Sequence, residues 1–162
     1  MNRKNIIALI EAEIPYNTGN IARTCVATGS ALHLVKPLGF ELSDKHLKRA
    51  GLDYWYDVDL TLWESFAEFK VFLEAEVESG YFPIYATTKA KQHLGALKLE
   101  AKPAIILFGK ETAGLPEDFL LEHPERCYRI PMLKDTRSLN LSNAEAIILY
   151  EVLRQQGFAG LV

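Results

Sequence analysis

The chain has 162 residues, 49% of them hydrophobic and 24% charged, which is ordinary for one soluble globular domain with a sizeable core. Its net charge of −3 provides no overall basic field for nucleic acid, so RNA binding would require a local basic patch. Cys25 and Cys127 lack the spacing of a disulfide framework or a zinc site, which fits a reducing cytoplasm. The first apolar run is too short for a signal peptide or a membrane span.

Short apolar runs bounded by turn residues recur along the chain, as is typical of buried strands in a parallel sheet. They alternate with segments that have helical periodicity, and no repeat or linker divides the sequence. We therefore predict a single α/β domain over residues 1–162, with a mainly parallel sheet flanked by helices. The predicted strands are residues 6–10, 32–35, 81–86, 104–108 and 127–130.

The first predicted helix follows Pro15. Asn17 or Thr18 can cap its start, and Gly29 can end it. Helical periodicity separates an apolar face from a polar one, so the residues of each face should lie together. The apolar face carries Ile21, Ala22, Cys25 and Val26, and the polar face carries Asn20, Arg23 and Thr24.

Two more helices are predicted in the middle of the chain. Residues 43–51 form a short one with the only dense basic cluster, which is either a solvated helix face or an RNA contact. Residues 63–77 form a longer amphipathic helix whose phenylalanines are expected in the core rather than on a stacking platform. The basic cluster consists of Lys45, His46, Lys48 and Arg49, and the inward aromatic residues are Phe66, Phe69 and Phe72.

Residues 129–151 read as a polar loop that leads into a helix. Ser142 precedes Glu145 by three residues, which predicts a capping box, and the following residues are apolar almost all round. Such a segment is either a ligand site or simply a C-terminal helix that packs on the sheet. Tyr150 in this helix is a candidate for substrate contact or, alternatively, a core residue.

Three loops at predicted strand ends carry unusual residues: Thr87-Thr88, residues 109–114 and residues 132–141. Ligands of open parallel sheets bind at this edge, and glycines there let backbone amides approach a ligand closely. The standard nucleotide motifs are absent, because Leu115-Pro116 replaces the Walker Lys-Ser/Thr and no Gly-x-Gly-x-x-Gly follows the first strand. The four histidines are scattered, so no metal is predicted.

Three segments together resemble the motifs of the SPOUT methyltransferases, over residues 6–157. The short chain and the segment 51–54 most resemble the TrmL (YibK-like) branch, whose members methylate the ribose 2′-oxygen of the wobble cytidine or uridine in certain leucine tRNAs. The segments are Asn17-x-Gly19-Asn20-x-x-Arg23, Leu107-Phe108-Gly109-x-Glu111-Thr112-x-Gly114-Leu115-Pro116, and Ile130-Pro131-Met132 with Arg137-Ser138-Leu139-Asn140-Leu141-Ser142-Asn143-Ala144.

The resemblance implies a deep trefoil knot at the C-terminus, S-adenosylmethionine as cofactor with S-adenosylhomocysteine as product, and no metal. It also implies tRNA as substrate, a cytoplasmic location and a homodimer whose site takes residues from both subunits. The site residues that it implies are Arg23 and Asn140 for catalysis; Ala86, Thr87, Gly109, Glu111, Gly114, Ile130, Ser138 and Leu139 for the cofactor; and Asn17, Lys45, Lys48, Arg49, Arg137 and Tyr150 for RNA.

The second motif departs from the branch at two positions. Lys110 stands where proline is usual and Ala113 where arginine is usual, which removes one possible phosphate contact. Lys110 can replace the charge but not the bidentate geometry. Two readings of another kind stay open: a non-catalytic nucleotide- or RNA-binding module, and the same chemistry at a different tRNA or rRNA position.

Overall fold

The computed structural model of the chain describes residues 3–43 and 55–162. The basic cluster Lys45, Lys48 and Arg49 lies outside the described residues, as does the predicted helix that carries it. The described strands are β1 (Ile6–Ile10), β2 (Ala31–Val35), β3 (Leu60–Trp63), β4 (Phe82–Ala86), β5 (Ala104–Phe108) and β6 (Cys127–Tyr128). The described α-helices are α1 (Pro15–Thr28), α2 (Phe66–Glu78), α3 (Glu117–Glu122) and α4 (Leu141–Gln155).

The strands form one all-parallel sheet in the order β3-β2-β1-β5-β4-β6. The central strand β1 pairs with both β2 and β5, so that Ile6 faces Ala31 on one side and Ile105 on the other. Every residue of β1, β2 and β5 is buried. The prediction of a mainly parallel sheet from continuous apolar runs is therefore confirmed.

Each strand sends alternate side chains to opposite faces of the sheet. Ile7 and Leu9 of β1 pack into an aliphatic core beneath α1 and α4, which we call the α1–α4 face. Ile6, Ala8 and Ile10 pack into a second core beneath α2 and α3, the α2–α3 face. Within the described parts of the chain, no helix is long and apolar enough to cross a membrane.

The predicted helix at residues 63–77 begins later than expected. Trp63 ends the edge strand β3, which the sequence reading missed, and its indole donates to His33 Nδ1 at 3.1 Å. Ser65 then caps α2: its hydroxyl accepts from the amide of Glu68, whose carboxylate accepts from the amide of Glu64. This is the capping pattern that the sequence reading assigned elsewhere.

Helix α1 starts at Pro15, not after Asn17 or Thr18 as predicted. Proline suits the first helical position, because its ring fixes φ and the missing N–H has no partner in the first turn. Asn17 and Thr18 are buried inside the first turn, and no side chain of the helix caps it. The predicted end is confirmed, since Gly29 adopts a left-handed φ of 68° and closes the helix.

The predicted capping box at Ser142 is wrong. Asn140 caps α4, because its side-chain oxygen accepts from the amides of Ser142 and Asn143 at 2.9 and 3.4 Å. Glu145 does not reach back to the helix start; it is fully buried. Nor is the helix covered all round, since Ile147 and Tyr150 are 43% and 47% exposed, so Tyr150 is not a core residue.

Candidate functional site

A cavity of about 480 Å³ opens at the carboxyl edge of the sheet. Its walls are the ends of β4, β5 and β6, the loop 109–115, the loop before α1 and the start of α4. Ligands of open parallel sheets bind at this edge, and 300–1,000 Å³ is the usual size of a small-molecule pocket. The three loops that the sequence analysis singled out all contribute to this one cavity.

All eight residues predicted to bind a cofactor line the cavity, together with Asn17 and Asn140. Arg23, Arg137 and Tyr150 do not line it; each is exposed. Arg23 lies on α1, which packs against α4. The eight residues are Ala86, Thr87, Gly109, Glu111, Gly114, Ile130, Ser138 and Leu139.

Gly109 is required by the loop itself rather than by a ligand. A Cβ at this position would lie 1.9 Å from the carbonyl carbon of Gly114 and 2.1 Å from the amide nitrogen of Leu115. The loop closes this tightly because Gly114 donates from its amide to the carbonyl oxygen of Lys110 at 2.8 Å. Gly114 adopts a φ of 71°, which glycine reaches without strain. The two glycines therefore shape the wall of the cavity.

Two carboxylates brace this loop against the loop that precedes α1. The Glu111 carboxylate accepts from the amides of Glu13 and Ile14 at 2.8 and 3.1 Å. In return, the Glu13 carboxylate accepts from the amide and hydroxyl of Thr112 at 2.9–3.0 Å. The Glu111 charge lies at the start of α1, where the helix dipole favours an anion. Glu111 thus anchors the residues just before α1, while no side chain takes the capping role predicted for Asn17 or Thr18.

Asn17 and Asn140 connect the first and third motifs across the cavity. The Asn140 amide donates to Asn17 Oδ1 at 3.0 Å, and the Asn17 amide donates to Glu111 Oε1 at 3.3 Å. A continuous chain of hydrogen bonds therefore runs from the loop 109–115 through α1 to the cap of α4. These side chains hold the three walls in a fixed relation.

Lys110, the position at which proline is usual, forms an ion pair with Glu11 at 3.1 Å. Both side chains are about one-third exposed, so the pair contributes at most a modest stabilisation. The Lys110 charge is engaged within this chain, which weakens the idea that it replaces a missing RNA-binding arginine.

A buried carboxyl group escaped the sequence analysis. Glu145 of α4 is fully buried against α1, and neither of its oxygens has a hydrogen-bond partner among the described residues. The Thr24 hydroxyl donates to the carbonyl oxygen of Asn20 at 3.1 Å. Burial raises the pKa of the Glu145 carboxyl to about 8 and, with that carboxyl beside it, raises the pKa of the Cys25 thiol. The sequence did contain a sign of this burial, because Glu145 lies among apolar residues at helical spacing.

The described residues contain no group of three or more metal-binding side chains. Fold and cavity together define an α/β protein with a cavity of small-molecule size at the carboxyl ends of a parallel sheet, shaped by three loops. The model of the SpoU rRNA Methylase family matches residues 4–150, and the chain belongs to this family.

Individual relatives agree with this assignment. A tRNA (cytidine(34)-2'-O)-methyltransferase from Aeromonas hydrophila is 46% identical over 155 residues, which cover 95% of this chain and 96% of that protein. A solved structure described as giving insights into the 2-OH methylation of C/U34 on tRNA superposes with a TM-score of 0.84 and 42% identity, covering 96% and 97% of the two chains. AviRb from Streptomyces viridochromogenes, a SpoU methyltransferase in complex with AdoMet, has a TM-score of 0.82 at 23% identity and shares the fold; the match covers 99% of this chain and 60% of AviRb.

Proposed function

We propose that this protein is an S-adenosylmethionine-dependent tRNA methyltransferase that modifies the ribose 2′-oxygen of the wobble nucleotide, cytidine or uridine, in leucine tRNAs. The observation that carries the proposal is that the three motifs converge on one cavity. The first and third motifs meet there in the hydrogen bond between Asn17 and Asn140, which are 123 residues apart in the sequence. Membership of the SpoU family and the wobble-specific relatives support the reaction class.

The cavity suits the proposed cofactor in size and chemistry. Ala86, Ile130 and Leu139 give it apolar walls, as a flat adenine ring needs, while Ser138 and the backbone of the loop 109–115 add polar groups. Thr87, Gly109, Glu111 and Gly114 complete the predicted set: the glycines and Glu111 fix the wall, and Thr87 lies at the end of β4. S-adenosylmethionine, when bound, supplies an electrophilic methyl group.

A ribose hydroxyl is a weak nucleophile, so the protein must orient it and stabilise the negative charge that develops on its oxygen. We assign the charge stabilisation to Arg23. A guanidinium is very hard to deprotonate, which favours a clamp on the neighbouring phosphate over a general base. We assign a positioning role to Asn140, whose side chain already holds Asn17 and the α4 start in place.

The active form that we propose is a homodimer. Ile147 and Tyr150 leave an apolar strip exposed on α4, and a second copy of the chain packed there would cover it. Arg23 and Tyr150 lie outside the cavity of their own subunit, so the proposed site takes such residues from the other. Arg137, Asn17 and the segment with Lys45, Lys48 and Arg49 remain predicted tRNA contacts, and a cytoplasmic location follows from the substrate.

The trefoil knot also belongs to the proposal. β6 lies at one edge of the sheet, yet the next helix, α4, packs against β5 and α1 at its centre. The intervening residues 129–140 must cross the carboxyl edge beside the loop 109–115, and this path is compatible with threading.

The test is an assay of the purified protein with leucine tRNA transcripts and S-adenosylmethionine, followed by mapping of 2′-O-methyl groups. We expect one methyl group at the wobble ribose, and loss of most turnover in the Arg23→Ala variant with cofactor affinity retained. Cofactor binding in calorimetry without methylation of any tRNA or rRNA would contradict the enzyme. A protein that binds RNA but no cofactor would instead be the non-catalytic module, and a methyl group elsewhere would move the target position.

A further inference from the structure

A second cavity lies beside the first at the carboxyl edge of the sheet. It measures about 620 Å³ and shares Thr88, Met132 and Ser138 with the proposed cofactor cavity, so the two are adjacent. Arg129 and Lys134 both line it, and we call it the Arg129–Lys134 groove. None of the functional residues proposed above accounts for these two cations.

The backbones of Arg129 and Lys134 are held by different contacts. Arg129 is fixed through its backbone, since its amide donates to Gln92 and its carbonyl accepts from Leu94, at 3.0 and 2.8 Å. Lys134 belongs to a turn closed by the Thr136 hydroxyl, which donates to the carbonyl oxygen of Leu133 at 2.7 Å. The backbone positions are therefore defined, while the long cationic side chains remain available for a ligand.

The described cations include some that pair with a carboxylate and others, such as Lys98, that do not; Arg129 and Lys134 are two unpaired cations that line the same cavity. Lys4, Lys36, Lys89, Lys102, Lys110, Arg126 and Arg154 each form an ion pair with a carboxylate. Arg129 and Lys134 form neither an ion pair nor a side-chain hydrogen bond with any residue that the structure describes, and neither does the neighbouring Arg137. Among the described residues that line the groove, Asp135 is the only acidic one and His93 the only histidine, so this part of the lining carries a net positive charge.

We propose that the Arg129–Lys134 groove binds a backbone phosphate of the RNA substrate next to the ribose that reacts. This inference rests on the proposed function, because it assumes that RNA approaches the cofactor cavity. A guanidinium pairs with phosphate through two parallel hydrogen bonds, and the lysine adds a point charge. Phosphate contacts of this kind fix the register of the chain and carry no base information. The net charge of −3 makes such local sites necessary for binding.

The decisive experiment measures tRNA affinity as a function of salt for wild-type protein, Arg129→Ala and Lys134→Ala. Each lost phosphate contact should weaken binding about 5- to 10-fold at low salt and reduce the slope of log K against log salt by roughly 0.7–0.9. Cofactor affinity, measured by calorimetry, should stay within about twofold. Arg129→Lys should restore the slope but only part of the affinity, because it keeps the charge and loses the fork.

Lys98→Ala is the matched control. Lys98 is an exposed lysine without an ion pair among the described residues, and it does not line the groove. It adjoins Leu97 and Leu99, which bond to Gln155 at the end of α4. Its removal should leave affinity and slope as in the wild type. Should Lys98→Ala lower the slope as much as Arg129→Ala, the effect is one of overall charge and the groove has no special role.

Several further outcomes would overturn the inference. Wild-type affinity and slope in both Arg129→Ala and Lys134→Ala would show that the groove holds no phosphate, whereas loss of cofactor affinity with unchanged RNA binding would make it part of the cofactor site. Wild-type protein that binds no tRNA ends this inference and the proposed function together. If Arg129→Ala and Lys134→Ala bind and methylate tRNA as the wild type does, this inference fails while the proposed function stands.

Discussion

The two faces of the sheet differ in the chemistry of their side chains and in how much they contribute to the cavity. The α2–α3 face is a cluster of aromatic rings: Trp63, Phe69 and Phe72 contact one another with centroids 4.8–5.9 Å apart, and Phe66 meets Phe119 at 4.9 Å. The α1–α4 face is mainly aliphatic and contains the buried Glu145. It also supplies Phe108, Tyr128 and Ile148 to the cavity, so the site is built almost entirely on this face.

The difference shows how stability and function can be divided between two sides of one sheet. Aromatic pairs in the α2–α3 face add directional contacts to ordinary burial, and none of the predicted site residues that the structure describes belongs to that cluster. The α1–α4 face carries an unpaired carboxyl group in its core, which costs free energy unless the group stays neutral. Substitutions on the first face should therefore change unfolding alone, and those on the second should change unfolding and ligand binding together.

The largest expected effect is that of Phe69→Ala on α2. Phe69 is fully buried and contacts four other aromatic rings, so its removal should lower the free energy of unfolding by about 3–5 kcal/mol. Denaturant titration measures this loss, and calorimetry should give an unchanged cofactor affinity for the folded fraction. Val71→Ala, on the exposed side of the same helix at 75% exposure, should change stability by less than about 0.5 kcal/mol. A lower cofactor affinity in Phe69→Ala would contradict the idea that the α2–α3 face contributes to stability alone.

Glu145→Gln should be next in size and should depend on pH. In the unfolded chain the pKa of this carboxyl lies near its ordinary value of 4.5, whereas in the folded protein burial raises the pKa to about 8. The folded state thus retains a proton that the unfolded state loses, and stability should fall with a slope of about 1.4 kcal/mol per pH unit between these values. The stability conferred by the neutral carboxyl is complete below pH 4.5 and is lost as the pH rises to 8.

The amide that Glu145→Gln introduces cannot ionise, so the variant should gain on the wild type steadily from about pH 5 to pH 8. Denaturant midpoints at each pH measure the gap. Of the titratable groups that face the carboxyl, the buried Cys25 thiol stays neutral over this range because its pKa is raised. Glu78→Gln, at the exposed end of α2, is the control. Parallel pH curves for wild type and Glu145→Gln would show that the buried group does not titrate as described.

Gly109→Ala should follow, with a loss of about 1–3 kcal/mol in stability. The added Cβ overlaps backbone atoms of Gly114 and Leu115, which no side-chain rotation can relieve. The loop must move into the cavity or away from it, so we expect at least a tenfold loss of cofactor affinity in calorimetry. Gly95→Ala is the matched control, because its Cβ meets no atom within 4 Å. Full cofactor affinity in Gly109→Ala would mean that the loop wall plays no part in binding.

The smallest expected effect on stability is that of Asn140→Ala, about 1 kcal/mol from the loss of the α4 cap. Asn140→Asp keeps a side-chain oxygen for the amides of Ser142 and Asn143 but cannot donate to Asn17. It should therefore retain most of the stability while turnover falls in the methylation assay. Asn143→Ala, exposed in the first turn of the same helix, serves as the control. Equal turnover in Asn140→Asp and wild type would remove the Asn17 contact from the proposed mechanism.

Local patterns predicted the regular elements well. β1 and β5 have the predicted bounds, since continuous apolar runs between turn residues leave few other conformations. The convergence of three strand-end loops also followed from the parallel arrangement, because the carboxyl ends of all strands meet at one edge. The resemblance to a methyltransferase family supplied the identity of the site residues that line the cavity, which periodicity alone does not contain.

The wrong predictions concern places where the same local sequence pattern occurs twice and a residue distant in the sequence decides what each copy forms. Ser-x-x-Glu occurs at Ser65 and at Ser142, but only the first forms a capping box. At the second, Asn140 is held by Asn17 from a distance of 123 residues and takes the capping position, while Glu145 turns into the core. The short edge strand β3 was hidden because Trp63 also fits the helical pattern that follows it.

The exchange of carboxylates between Glu13 and Glu111 has a mechanical consequence. Each loop holds the amides of the other, so separating them would strip the partners from four hydrogen-bond donors at once. We therefore expect the two loops to move together, so that this wall of the cavity stays rigid. We expect ligand entry to depend instead on movement of the segment 133–139, whose side chains are all exposed and which contributes Ser138 and Leu139 to the cavity.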